Sequence, residues 1–235
     1  MKRWIFVFYS LAFVLQTSAS QYVYQKVSME MLTRTTRKGL ISTLKAKIFY
    51  TSEGKMVSYY SDPREMLVIN NKNGDISMYD IKDNSVTQKQ NFLFRTDQNQ
   101  MFYFLENNKS DLGLAKMGFA LKETKFEDGL KISVWTPPFS LAREISKVEL
   151  VHEKNSPIFL GYFNIKGKAI KKAYFYNYTQ VASVYFPASV TQITFENDKD
   201  SIVSKVSYSN FKLDQEVSDE YLQFKIPDNA KVILN

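Results

Sequence analysis

A regular alternation of apolar and polar side chains runs through most of this chain and limits its fold more than any other feature. In the first clear stretch, Val27, Met29 and Met31 alternate with polar neighbours. A period of two residues is that of a β-strand with one face buried, whereas a helix would show a period of about 3.6. A first strand is therefore predicted within residues 21–38. Further strands are predicted at residues 44–50, 56–60, 65–71, 75–81, 85–90, 120–126, 130–136, 145–152, 158–165, 168–178, 183–196, 201–212 and 221–226.

Short turn motifs separate many of these strands. Asn73-Gly74 lies between two of them, and both residue types accept the positive φ angles of a tight hairpin turn. Asp128-Gly129 has the same character further along. The strands are therefore expected to follow one another as antiparallel hairpins.

One segment breaks the strand pattern. Between Phe92 and Gly118, apolar residues recur at helical spacing, and Asp97 and Ser110-Asp111 are suitable N-caps, so two short helices are predicted there. A long series of antiparallel strands must either close into a barrel or cover its apolar face. This segment is too short for a domain of its own, and we expect it to supply that cover.

The first twenty residues have the features of a cleavable secretory signal. Lys2 and Arg3 precede an apolar run at residues 4–15, and small residues at 18–20 predict cleavage before Gln21. The alternative, a membrane anchor, needs about 20 apolar residues, which is more than this run provides. We therefore expect an exported mature chain of residues 21–235, forming one domain and working in the periplasm.

Charge and cysteine content exclude several classes of protein. The formal net charge of the whole chain is +7, and the basic residues are spread among acidic ones instead of forming one patch, which argues against nucleic-acid binding. The chain has no cysteine, so disulfides and Cys-ligated metals are excluded. An exported domain of this length must be stabilised by its core alone.

Several segments together resemble the LolA-type outer-membrane lipoprotein carriers. The first are GKM at residues 54–56, YYSDPREMLVINN at 59–71 and DISMYD at 75–80. VWTP at 134–137, ISKVEL at 145–150, VSYSNFKLD at 206–214 and YLQFKIP at 221–227 follow in the order and spacing of that family. The resemblance covers nearly the whole mature chain and indicates a divergent member or a paralogue.

The resemblance implies a mainly β fold: an incomplete, strongly curved antiparallel β-barrel with a short helical lid over an apolar cavity. It also implies partners, namely a lipidated protein or other lipid as cargo, an inner-membrane ABC exporter and an outer-membrane receptor. Family members tie the lid to the barrel through an arginine, whereas the corresponding residues 49–52 contain none. How this lid would be held is therefore open.

The residues expected to line the cavity come from the lid segment and from the sheet next to it. They are Phe92, Phe94, Met101, Phe102, Phe104, Leu105, Leu112, Leu114 and Met117 in the lid segment, with Tyr59, Met66 and Val68 in the sheet. Methionine and aromatic side chains suit variable apolar ligands. Ordinary packing of helix on sheet would give the same pattern, and the sequence leaves both interpretations open.

Two other clusters also have alternative interpretations. The aromatic residues within 173–178 and 184–186 could line a ligand mouth, although cross-strand aromatic pairs in a sheet are commoner. Lys166, Lys168, Lys171 and Lys172 could bind anionic head groups or an acidic partner, but the favoured interpretation is an edge strand protected by its lysines.

No motif points to catalysis or to a cofactor. His152 is the only histidine and has no patterned nucleophile near it. Asp198 and Asp200 provide too few ligands for a calcium loop and are expected to lie in a hairpin turn. The sequence therefore favours a monomeric carrier that is not an enzyme and has no cofactor, catalytic residue or metal site. The alternative is an envelope sensor or interaction module on the same fold, with no lipid cargo.

Overall fold

The computed structural model describes residues 24–73, 75–90, 100–196 and 200–233, and β-strands dominate them. The first six strands are β1 (Lys26–Arg37), β2 (Leu40–Thr51), β3 (Met56–Asp62), β4 (Met66–Asn70), β5 (Asp75–Asp80) and β6 (Ser85–Gln90). Helix α1 (Gln100–Leu105) precedes β7 (Ala120–Glu127), β8 (Leu130–Thr136), β9 (Lys147–Glu153), β10 (Ser156–Phe163), β11 (Ala169–Val181), β12 (Val184–Phe195) and β13 (Ser201–Leu213). Helix α2 (Asp219–Leu222) and β14 (Lys231–Val232) follow.

All fourteen strands belong to one sheet, in the order β14-β6-β5-β4-β3-β2-β1-β13-β12-β11-β10-β9-β8-β7. Two antiparallel meanders, β1–β6 and β7–β13, meet where β1 pairs with β13. The short strand β14 adds parallel to β6. The sheet is curved and unclosed, with β14 and β7 at its two edges, so the predicted incomplete antiparallel barrel is confirmed.

Turn chemistry accounts for several hairpins. Asp128 and Gly129 both have positive φ angles, 50° and 78°, as a type I′ turn between β7 and β8 requires. β4 and β5 also form the predicted hairpin, in which the side chain of Asn71 accepts hydrogen bonds from the backbone N–H groups of Asn73 and Asp75. Gly74 lies outside the described residues.

Residues 100–119, the described part of the segment between β6 and β7, contain a helix at the first predicted position and none at the second. After α1, residues 112–118 form a series of turns. Leu112 and Gly113 have φ angles of 47° and 80°, which break a right-handed helix. The proposed N-cap Asp111 still accepts hydrogen bonds from the backbone N–H groups of Gly113 and Ala115, so it caps a turn instead of a helix. The other proposed N-cap, Asp97, lies outside the described residues. Residues 100–119 are called the lid below.

The C-terminal segment differs from the prediction. Residues 221–226 do not form a strand, because Tyr221 and Leu222 belong to α2. Ser218 caps that helix by accepting a hydrogen bond from the backbone N–H of Glu220, and Asp219 places negative charge in the first turn. The chain then crosses the sheet and ends in β14 on the edge of β6.

The two faces of the sheet carry separate apolar clusters. The inner face, which includes Ile48 and Met56, packs against the lid. The outer face carries Phe49 and Val57 and is covered by Leu222 and its C-terminal neighbours. In the described part of the chain, no helix is long and apolar enough to cross a bilayer.

Candidate functional site

A cavity of about 340 Å³ lies between the lid and the inner face of the second meander. Its walls come from the lid, β10, β11, β12 and β13. The lining residues are Met101, Phe104, Leu112, Met117, Tyr162, Lys171, Phe175, Phe186, Pro187, Val190, Gln192, Val206 and Tyr208. A volume of this size is at the lower end of the roughly 300–1,000 Å³ typical of ligand pockets.

Strand register explains why these side chains converge. Lys171 and Phe175 are four residues apart on β11 and therefore share a face. Val190 is paired with Phe175 on one side and with Val206 on the other, and directly paired residues of antiparallel strands project to the same face. The hollow is therefore built into the alternation of three neighbouring strands.

Four of the residues predicted to line the cavity do so: Met101, Phe104, Leu112 and Met117. Phe104 is the central one, with its ring centroid 5.1 Å from that of Phe175 and 6.1 Å from that of Phe186. These aromatic contacts fix the height of the lid above the sheet.

Three further lid residues are buried beside the cavity without lining it. Phe102 packs edge-on against Tyr50 of β2, with ring centroids 5.8 Å apart. Leu105 lies at a smaller pocket of about 250 Å³ next to Tyr24, and Leu114 is fully buried in the inner cluster. These three residues hold the lid in place.

The remaining predicted cavity residues lie elsewhere. Phe92 and Phe94 are outside the described residues. Tyr59 is on the outer face, where its ring lies 5.1 Å from that of Tyr221, so its placement in the cavity was wrong. Met66 and Val68 are half-buried on β4, away from the cavity walls.

The β10–β13 wall supplies cavity residues that were not predicted from the sequence. In the aromatic stretch, Phe175 and Phe186 are buried against the lid, whereas Tyr174 and Tyr176 are exposed. Strict alternation could have separated these two sets. It could not have shown which face the lid covers.

Four polar side chains line the cavity. Lys171, Gln192 and Tyr162 lie close together in the strand register, whereas the ring of Tyr208 lies 5.3 Å from that of Phe186. In the described residues none of these four side chains has a hydrogen-bond or ion-pair partner. Burial lowers the pKa of the Lys171 amine and raises the pKa of Tyr162 to about 12. Burial, with a smaller contribution from Tyr60, also raises the pKa of Tyr208 to about 12.

The position of Lys171 corrects the favoured interpretation of the lysine cluster. Its strand, β11, is not an edge strand, because it is paired with β10 at residues 169–174 and with β12 at residues 171–181. Lys172 projects from the other face, with its ammonium 5.8 Å from the ring centroid of Phe195. The sequence alone could not show this, because strand order in a sheet depends on the whole topology.

Two tyrosines connect the lid to the sheet by hydrogen bonds. The Tyr50 hydroxyl donates to Glu106 Oε1 at 2.8 Å, and the buried Tyr24 hydroxyl donates to the backbone carbonyl of Leu105 at 2.7 Å. Both acceptors are at the C-terminal end of α1, where helix carbonyls lack internal partners. Tyr24 and Tyr50 therefore tie this end of the lid to the sheet.

His152 provides a third tie. Its imidazole is buried, and Nε2 donates to the carbonyl of Lys109 at 2.9 Å. Burial lowers the pKa of His152, so the neutral ring is favoured. In the described residues, no group of three or more His, Asp or Glu side chains could hold a metal ion. Of the two acidic residues considered for calcium, Asp198 lies outside the described residues, and Asp200 closes the β12–β13 hairpin through its carbonyl.

No protein-family model and no curated protein match the sequence. Solved structures are similar in fold. A DUF1329 family protein from Desulfovibrio piger has a TM-score of 0.59 at 16% identity, covering 85% of this chain and 90% of its own. A LolA superfamily protein from Nitrosomonas europaea has a TM-score of 0.55 at 12% identity, and the match covers 86% of this chain and 91% of that protein. The third structure is a domain from Vibrio parahaemolyticus that is described as an outer membrane lipoprotein-sorting protein domain. It has a TM-score of 0.57 at 13% identity, and the match covers 83% of this chain and 88% of that domain. The resemblance to the LolA-type fold inferred from the sequence is therefore confirmed at the level of fold.

Proposed function

We propose that this protein is a periplasmic carrier that shields an acyl chain of a lipoprotein or another lipid in the cavity under its lid, during transfer between the inner and outer membranes. The observation that carries the proposal is the cavity of about 340 Å³ between the lid and the β10–β13 wall, in which aromatic and aliphatic side chains lie beside a few polar ones. The solved structures of similar fold, two of them described by the LolA superfamily or by lipoprotein sorting, support the same class of function.

The energetics suit a carrier that performs no chemistry. Each methylene group removed from water contributes about 0.8 kcal/mol, so a chain of moderate length would be held firmly by burial alone. The cavity volume suits one chain, and larger cargo would require the lid to move. Hydrogen bonds from Tyr24, Tyr50 and His152, and one from Lys109 to the Tyr185 carbonyl, connect the lid to the sheet. Opening of the lid breaks these bonds and its apolar contacts but none of the pairings between strands.

The cellular setting of the proposal comes from the sequence. A signal peptide ending before Gln21 would deliver a monomeric mature chain to the periplasm, where an inner-membrane exporter would load it and an outer-membrane receptor would unload it. These partners are carried over from the resemblance and are part of the proposal.

The test is acyl binding by purified residues 21–235. Native mass spectrometry and solvent extraction would reveal co-purifying lipid, and calorimetric titration with a lysophospholipid would measure affinity. We expect one acyl chain bound per protein. A protein that neither retains nor binds any acyl compound would contradict the proposal and leave the envelope interaction module, with a packed interior, as the explanation.

A matched pair of variants tests the location of the site. Val190→Phe places a large side chain in the cavity, whereas Val203→Phe makes the same change on the opposite face of the adjacent strand β13. We expect the first variant to lose most acyl affinity and the second to keep it. Equal affinities in the two variants would place the acyl chain elsewhere.

A further inference from the structure

Lys171 is an unusual residue for an apolar cavity. Its side chain lines the space beneath Met117 and Phe175, and it forms no ion pair or hydrogen bond within the described residues. Burial without an opposite charge disfavours a charged amine, and it lowers the pKa of Lys171. An apolar residue at this position would avoid that cost.

The groups beside Lys171 share its lack of partners. Tyr162 is directly paired with Lys171 across β10 and β11, and Gln192 lies on the next strand, on the same face. Their hydroxyl and amide groups also lack hydrogen-bond partners in the described part of the chain. Lys171, Tyr162 and Gln192 therefore line one space without hydrogen bonding to one another. This arrangement suggests that a ligand provides the hydrogen-bond acceptor for these three side chains.

The cation, the amide and one phenol lie towards one end of the cavity. From Lys171 to Phe175, four residues along β11 correspond to about 13 Å. Beyond Phe175 the walls are formed by Phe104, Phe186 and Pro187, with the ring of Tyr208 5.3 Å from that of Phe186. An amphiphile would therefore fit in one orientation, with its head at Lys171 and its chain under the lid.

We infer that the cavity selects single-chain amphiphiles with a compact anionic head group, a carboxylate or a phosphate, and that Lys171 is the residue that recognises the head. This inference rests on the proposed acyl-binding function and adds the ligand class. Tyr162 and Gln192 donate hydrogen bonds to the same head group. The charge of the ligand replaces the partner that the protein does not provide.

The test compares three ligands with the same chain: decanoate, decyl phosphate and 1-decanol. Calorimetric titrations of residues 21–235 below the micelle concentrations should show that at least one anion binds about ten- to hundredfold more tightly than the alcohol, the usual contribution of a hydrogen bond to a charged group. Comparing the two anions then identifies the carboxylate or the phosphate as the preferred head.

Three variants connect the preference to one side chain. Lys171→Met should bind the anions and the alcohol with similar affinity, and Lys171→Arg should restore the preference for anions. Lys172→Met removes a neighbouring charge from the opposite face and should behave like the unmodified protein.

The two proposals fail in different ways. If all three compounds bind equally to the unmodified protein, or if Lys171→Met keeps the preference for anions, the inference about Lys171 is wrong while acyl binding stands. If none of the three binds and no lipid co-purifies, the proposed carrier function itself is wrong.

Discussion

Removal of two tyrosine hydroxyls should loosen the lid while leaving the sheet intact. The double variant Tyr24→Phe, Tyr50→Phe keeps both rings, including the edge-on contact of Tyr50 with Phe102, and deletes the hydroxyl hydrogen bonds to Leu105 and Glu106. A change in lid opening would then come from the two hydroxyls.

The two bonds are not equally strong. Tyr24 is only 5% exposed, and its loss leaves the Leu105 carbonyl without the hydroxyl that satisfies it, at a cost of about 1–2 kcal/mol. Glu106 is charged but exposed, so water can replace the Tyr50 hydroxyl and the loss is about 0.5–1 kcal/mol. A total of about 2 kcal/mol corresponds to a roughly 30-fold larger opening constant.

Native-state hydrogen exchange measures this opening directly. The amides of Glu106 and Asn108 donate to carbonyls within the lid and report its opening, whereas the amides of Val190 and Val206 report the paired strands. Exchange at the two lid amides should accelerate about 30-fold in the double variant, and exchange in the strands should change much less.

Two outcomes would refute this reasoning. Unchanged exchange at the lid would mean that the tyrosines do not hold it, and equal acceleration in lid and strands would mean that the lid opens only with global unfolding. Tyr176→Phe is the control, because it deletes an exposed hydroxyl that contacts Thr191 away from the lid, and it should leave lid exchange unchanged.

Two further predictions concern stability. Because burial lowers the folded-state pKa of His152, the unfolded chain takes up the proton first as pH falls below the ordinary value of about 6.5. The contribution of His152 to stability should therefore be constant above about pH 7.5 and decrease towards pH 5.5. His152→Gln should make the melting temperature less dependent on pH in this range. An unchanged slope in the variant would show that other groups cause the decrease. On the outer face, Leu222→Ala should cost about 2–5 kcal/mol in denaturant unfolding while leaving acyl affinity unchanged, because Leu222 is buried against the outer face of the sheet and does not line the cavity. A matching loss of affinity would mean that the two faces are coupled.

The sequence was sufficient for features that depend on neighbouring residues. Alternation located the strands from β1 to β13, and Asp128-Gly129 located its hairpin, because side-chain period and turn geometry are local properties. The strand predicted at residues 221–226 was wrong, although a neighbouring signal indicates the correct structure. Ser218 followed by two acidic residues is typical of a helix N-terminus, and this signal decides the local structure in spite of the alternation that follows it.

Features that depend on strand order were not accessible in the same way. Lys171 and Lys172 are adjacent in sequence, yet one faces the cavity and the other faces away. The misplacement of Tyr59 has a similar origin, since alternation fixes which residues share a face but not which face the lid covers. The polar end of the cavity appears only when β10, β11 and β12 are placed side by side.

The pairing of β1 with β13 determines when the cavity can form. Val27 lies opposite Leu213, so this seam joins the first described strand to one about 190 residues later, and it cannot form until nearly all of the polypeptide is present. Val206 and Tyr208, which complete the cavity wall, belong to the same late strand. A nascent or truncated chain that lacks this strand therefore has only an incomplete cavity, and any ligand of the cavity must wait until the last long strand has docked.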